Sequence, residues 1–326
     1  MFKIGKNICK FFVIFLAMVF SFFAGVAACD VRSSEDMYTP PCFEINDDGV
    51  LLSYEGIDET VLIPENVKSI YFGVFAHHSE IKNIEFPNGL KEIGACAFYG
   101  CSGLKEALLP ESVSCVGQMA FGYCSGLEKM YLGKNVSGIL DQIVCGCENL
   151  VSIEVSEENE NYASSDGMLY TKNMHSLVAC PCGKCGKVVI PDDVVTIEAF
   201  AFLECANITE VVLGSKVTYI DEAAFCGCKN LSKIDLCGNV KKIRAYAFAN
   251  CGLLSEIIIG ENVNFVGSDA FFGCDSLSKV KFLPLVVKFG ENALPWNEKL
   301  VICGLEGSSS QAYAIENSLN FEKMDY

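Results

Sequence analysis

Leu90-Lys-Glu-Ile93-Gly94-Ala-Cys-Ala97-Phe98-Tyr-Gly-Cys101-Ser-Gly-Leu104 starts again 23 residues later as Val113-Ser-Cys-Val116-Gly117-Gln-Met-Ala120-Phe121-Gly-Tyr-Cys124-Ser-Gly-Leu127. Outward from this pair, the phenylalanine slot holds Phe75, Phe98, Phe121 and Val144, then Phe202, Phe225, Phe248, Phe271 and Leu294. Three further apolar columns keep the same phase. One runs Val67, Leu90, Val113, Val136, Val194, Val217, Val240, Val263, Val286. A second runs from Ile70 through Ile93, Val116 and Ile139 to Ile197, Ile220, Ile243, Val266 and Phe289. The third runs from Ile81 through Leu104, Leu127 and Leu150 to Ile208, Leu231, Leu254, Leu277 and Leu300. Four columns in step over nine repeats imply a stack of identical units, each covering the apolar face that its neighbour cannot cover alone.

A fixed period of this length with apolar columns predicts a β-rich leucine-rich-repeat solenoid. Within one unit, Leu104, Ala107 and Leu109 mark a short strand that Pro110 ends, since proline has no amide to donate. The rest of the unit, through Val113, Val116 and Gly117, has room for one short irregular or 3₁₀ segment.

The phase breaks once. Val144 and Phe202 lie 58 residues apart, which is not a multiple of the period. Residues 156–191 therefore form an insertion. Glu157 to Asn161 is a polar turn, and two apolar runs, Gly167–Thr171 and Ser176–Cys180, read as a hairpin. Val144 lacks the usual Ala-Phe pair, which predicts looser packing beside the insertion. The domain reading is 1–28 signal peptide, 29–60 linker and N-terminal cap, 61–155 first repeat block, 156–191 hairpin insertion, 192–304 second block and 305–326 C-terminal cap. Ser308 to Asn317 suits a short, serine-capped helix. Asp48-Gly49-Val50 reads as the cap at the other end.

The frame V-x-x-I-G-x-x-A-F-x-x-C-x-x-L-x-x-I-x-L-P resembles that of the BspA-like (treponemal-type) leucine-rich repeats. It stands here from about residue 60 to 303. The Asp166–Tyr170 turn, the Ile190-Pro191 restart and the Glu306–Ala314 closing segment look like that family too. The resemblance implies a bacterial cell-surface protein that engages host matrix proteins, host cells or other bacteria.

Export follows independently from the N-terminus. Lys3, Lys6 and Lys10 precede an uncharged apolar run, Phe11 to Ala28, that ends Val26-Ala27-Ala28-Cys29. This is a secretory signal. The run resembles the bacterial lipobox, which would make Cys29 the lipidated first residue; a plain signal peptide and an uncleaved anchor are the alternatives. The expected location is the outer membrane and cell surface, or the periplasm. Losing the three lysines of residues 1–28 takes the net charge from −17 to −20. Such a surface excludes nucleic acid held through its phosphates, and it leaves a covalent lipid as the means of holding an anionic membrane.

Seven of the 19 cysteines share one slot, three residues after the phenylalanine column: Cys101, Cys124, Cys147, Cys205, Cys228, Cys251 and Cys274. His78 and Asn297 take it at the ends. A slot repeated along a stack predicts a ladder of buried thiols rather than disulfides. Cys96, Cys115, Cys145, Cys226, Cys237 and Cys303 follow no column. Cys180-Pro-Cys182-Gly-Lys-Cys185 is a weak metal candidate, short of the four ligands that a structural zinc site uses. No catalytic motif is present, and only three histidines exist, so neither an enzyme nor a cofactor is expected.

Specificity then falls to the variable strand positions. Strand alternation turns Glu85, Leu108, Tyr131, Glu154, Val212, Asp235, Ile258 and Lys281 outward, flanked by a line from Asn83 to Lys279. In this repeat class these positions line the concave face. Apolar residues there suit a protein-binding surface; they also suit a strand that merely prefers β-formers. The expected function is protein binding or adhesion. A structural envelope scaffold with no host ligand, and a metal or redox module at the Cys180 cluster, are the alternatives.

Overall fold

The computed structural model describes residues 43–236 and 238–324. The signal segment and Cys29 lie outside these residues, as does Cys237. The chain is a β-solenoid of about twelve turns.

Each repeat touches the next along two lines of parallel strands. One line is the expected one and includes Asn83–Glu85, Glu106–Leu108, Lys129–Leu132 and Ser152–Val155 in the first block. Its second-block members include Ile208–Val212, Glu256–Ile259 and Lys279–Phe282. The other line replaces the expected irregular segment. Two-residue strands such as Glu92–Ile93, Cys115–Val116 and Gly138–Ile139 pair in parallel, Glu92 with Cys115 and Cys115 with Gly138. Two residues are too few for alternation to be visible in sequence, yet stacking makes them a sheet.

A third contact runs through the phenylalanine turn. The amides of Gly73, Phe75 and His77 donate to Ala95, Ala97 and Tyr99 one repeat on. The residues two before and two after the phenylalanine sit in the left-handed region, as with Cys96 at φ 54° and Gly100 at φ 71°. Glycine removes that strain; Gly117 serves another need, since a Cβ there would run into the backbone of Ala95.

The phenylalanine rings are fully buried and stack face to face. Phe75–Phe98 and Phe98–Phe121 centroids lie 4.9 and 5.0 Å apart. Phe225–Phe248 and Phe248–Phe271 lie 5.2 and 5.3 Å apart. One column departs from the period: Val286 is 69% exposed and Val287 is buried in its place. The slip is local, because Phe289 still pairs with Val266.

The insertion carries one strand more than expected. Tyr162–Ser165 pairs antiparallel with Met168–Thr171, which pairs antiparallel with Ser176–Ala179. Ser176–Ala179 then joins the two-residue line through Thr196–Ile197. Alternation along the middle strand divides it between two cores. Leu169 packs with the first block, while Met168 and Tyr170 pack with the second. The hairpin is thus a shared wall. Asn159, in the polar turn, is buried and fixes it: its amide donates to the carbonyls of Gly133 and Val136, and its oxygen accepts the amides of Asn161 and Tyr162. Val144 is buried like its column mates, although it contributes no ring to the stack. Further on, Gly186–Val189, inside the stretch read as insertion, already pairs with Ile208–Val212 as a repeat strand.

Both ends are closed. The antiparallel pair Phe43–Ile45 and Val50–Tyr54 caps the first repeat, and Tyr54 covers the Phe75 ring at 5.1 Å. At the other end the helix Ser309–Glu316 is capped by Ser308, whose hydroxyl accepts the Gln311 amide. A final strand, Asn320–Lys323, adds to Val301–Gly304.

Candidate binding surface

The predicted outward row runs through four separately paired sheets, with pairing interrupted between the strands of Glu85 and Leu108 and between those of Asp235 and Ile258. Leu108 pairs with Tyr131, and Tyr131 with Glu154; in the second block Ile258 pairs with Lys281. Leu108 is half exposed, while Glu85, Glu154 and Asp235 are exposed. Tyr131, Val212, Ile258 and Lys281 are half-buried by their neighbours. Two members were missed by sequence reasoning. Leu62, paired with Glu85, is 58% exposed, and Val189, paired with Val212, is 57% exposed. Both stand one period before a known row member, so the 23-residue phase alone was enough to find them.

Charge on this face is largely matched between repeats. Lys129 pairs with Glu154 at 3.0 Å, and Lys281 pairs with Glu256. Glu210 takes both Lys187 and Lys233, at 3.3 and 3.0 Å, so one carboxylate ties three successive strands. The Lys233 hydrogen bond, helped by Lys187, holds the Glu210 carboxyl below its ordinary range. Tyr131 donates its hydroxyl to Glu111 at 2.9 Å, which fixes the ring on the surface. The row therefore offers rigid apolar side chains set among paired charges.

The cysteine cluster does not converge. Cys180 and Cys182 are buried, and Cys185 is exposed. Among the described residues no group of three or more His, Cys, Asp or Glu is arranged to hold a metal. The cluster's two buried members belong to the stack. The amide of Cys180 donates to the Ala201 carbonyl, as the Phe98 amide donates to that of Ala120, so Cys180 occupies the phenylalanine slot. Cys182 lies 3.8 Å from Cys205 and enters the thiol ladder as an eighth rung.

The ladder has a chemical logic. The Phe98 carbonyl accepts the Cys101 amide at 3.1 Å and the Cys124 thiol at 3.0 Å. The same pair of bonds recurs at Phe225, with Cys228 and Cys251. A thiol is apolar enough to bury and still uses the carbonyl's second lone pair. Burial pushes the thiols of Cys147, Cys205 and Cys228 well above their ordinary value, which disfavours the reactive thiolate.

Parallel strands repeating every 23 residues around apolar and thiol columns define a leucine-rich-repeat protein. More narrowly, the chain belongs to the BspA type leucine rich repeat family, which matches residues 55–165 and 178–301 in six copies. Among solved structures it is similar to the pneumococcal vaccine antigen PcpA, with a TM-score of 0.62 at 19% identity over 82% of this chain and 80% of that one. It is also similar to a leucine-rich repeat protein from Eubacterium ventriosum, with a TM-score of 0.51 at 18% identity over 86% and 93% of the two chains. Among curated proteins, none matches the chain. No helix among the described residues is long and apolar enough to cross a membrane.

Proposed function

We propose that this chain is an exported, non-enzymatic binding protein, anchored through a lipid on Cys29. In this reading it engages protein ligands, such as host matrix or cell-surface proteins, through the outward strand row. The observation that carries the reading is the row itself. Leu62, Leu108 and Val189 stay exposed on a surface where several neighbouring charges are already paired, as at Lys129–Glu154 and Glu210–Lys233. Exposed apolar side chains on a sheet lose little entropy on binding and mark an interaction surface, and Tyr131 adds the aromatic type that interface anchors favour. Membership of the BspA-type family supports a surface location.

The test is binding of the full chain to immobilised matrix proteins. Leu108→Glu with Tyr131→Ala is expected to abolish binding while leaving the circular dichroism spectrum unchanged. Undiminished binding by that variant removes the row as the site. Protease shaving of intact cells tests location separately, since a protected protein fits an envelope scaffold rather than an adhesin.

A further inference from the structure

The two-residue strand line carries its own row, and in the second block that row alternates aromatic and cationic side chains. Tyr219, Lys242, Phe265 and Lys288 are consecutive register partners. The corresponding first-block positions are Ser69, Glu92, Cys115 and Gly138, which offer neither feature. Lys242, Arg244, Asn264, Phe265 and Lys288 line a groove of about 550 Å³.

Two properties in combination mark this groove. The first is positive charge without an ion pair, gathered in one row on a strongly acidic chain. Lysines of the other strand line are neutralised across repeats, as with Lys129, Lys233 and Lys281. Lys242 and Lys288 make no ion pair among the described residues. Lys242 instead lies 5.8 Å from the centroid of the Tyr219 ring, within cation–π range, which holds the ammonium along the row. Arg244 alone is tied to an acid, Asp221, at 3.1 Å. The second property is spacing. Adjacent strands lie about 4.8 Å apart, so like side chains two repeats apart stand roughly 10 Å apart. Both the cations and the rings follow that interval.

We propose that this row binds a linear acidic saccharide bearing a sulfate or carboxylate on alternate sugar rings. The cations meet the acid groups, and the faces of Phe265 and Tyr219 meet the apolar C–H faces of the intervening rings. An extended acidic peptide fits less well, because its same-side carboxylates recur at about 6.8 Å. Long polyanions and anionic bilayers meet the chain's overall negative charge beyond the groove. The site does not rest on the protein-binding reading, since it lies on a different sheet.

The experiment titrates the full chain with a sulfated hexasaccharide prepared from heparin, with the same oligosaccharide after desulfation, and with polyglutamate. The expected result is binding of the sulfated probe, weakened by salt. Lys242→Gln with Lys288→Gln lowers affinity by about tenfold or more, on the scale of one charge-assisted hydrogen bond. Phe265→Thr lowers it as well, and Leu108→Glu with Tyr131→Ala leaves it unchanged. No binding of the sulfated probe overturns the proposal. So does undiminished binding by the double lysine variant, or polyglutamate binding as tightly as the sulfated probe.

Discussion

The two repeat blocks are built on the same columns, but two of those columns cross the junction between the blocks in different ways. The phenylalanine stack breaks. Phe121 and Phe202 are separated by two slots that hold Val144 and Cys180, and neither side chain carries a ring. The thiol ladder does not break. Cys147, Cys182 and Cys205 continue it, and the Cys182 thiol lies 3.8 Å from the Val144 carbonyl and 3.3 Å from that of Leu203. A ring needs a ring of matching tilt beside it, and an insertion disturbs that easily. A thiol needs only a carbonyl within reach, which a hairpin can still supply. Hydrogen-bond columns thus tolerate interruption better than stacking columns do.

If the hairpin replaces the missing ring contacts, its wall residues carry the coupling between blocks. Tyr170 is fully buried in the second core and Leu169 in the first. Tyr170→Ala is expected to cost about 3–5 kcal/mol, the range for buried aromatic truncations. Hydrogen exchange should show the lost protection in the second block, nearest Phe202. Leu169→Ala should instead expose the first block, around Leu150 and Ile153. Because repeat arrays couple only through neighbours, identical exchange patterns for the two variants would mean that the cores are not separate.

The ladder makes the next largest prediction. Cys182→Ala removes a buried thiol and its hydrogen bonds, for a cost of about 1 kcal/mol, and Cys228→Ala should match it. Cys185→Ala, three residues from Cys182 but exposed, should change nothing measurable in a denaturation curve. Alkylation of the native protein should reach Cys185 first and the ladder thiols only on unfolding. A Cys182 that reacts as fast as Cys185 would take it out of the ladder.

The contrast between Cys182 and Cys185 also marks what was readable beforehand. The 23-residue phase exposed the columns and the outward row, because each is a repeated signal, and the serine cap at Ser308 exposed the closing helix. It even held Cys182, which stands one period before Cys205, but the nearby Cys-Pro-Cys spacing resembled a ligand set more than a ladder rung. Asn159 was illegible for a different reason. Within a run of acids and asparagines, nothing distinguishes the one whose amide finds two buried carbonyls. The second strand line was hidden because two residues are too short to show a period, and its pairing comes only from stacking.

The smallest effect is expected on the sheet where charges are paired. Glu210 joins Lys187 and Lys233 in the second block, and Lys129–Glu154 is the nearest first-block counterpart. All of these groups are accessible to solvent, where ion pairs are screened and contribute little. Glu210→Gln should shift the melting temperature by no more than about 1–2 °C at low salt, and the shift should vanish at high salt. The pH dependence has a definite sign. Glu210's folded carboxyl titrates below its unfolded value, so its contribution is present above the ordinary carboxylate range and is lost as the pH falls through the folded value. The wild-type and Glu210→Gln melting curves should therefore converge in acid. A large, salt-insensitive difference would mean that the triple tie is a structural rivet, and the two blocks would then differ in how their outward sheets are held as well as in their cores.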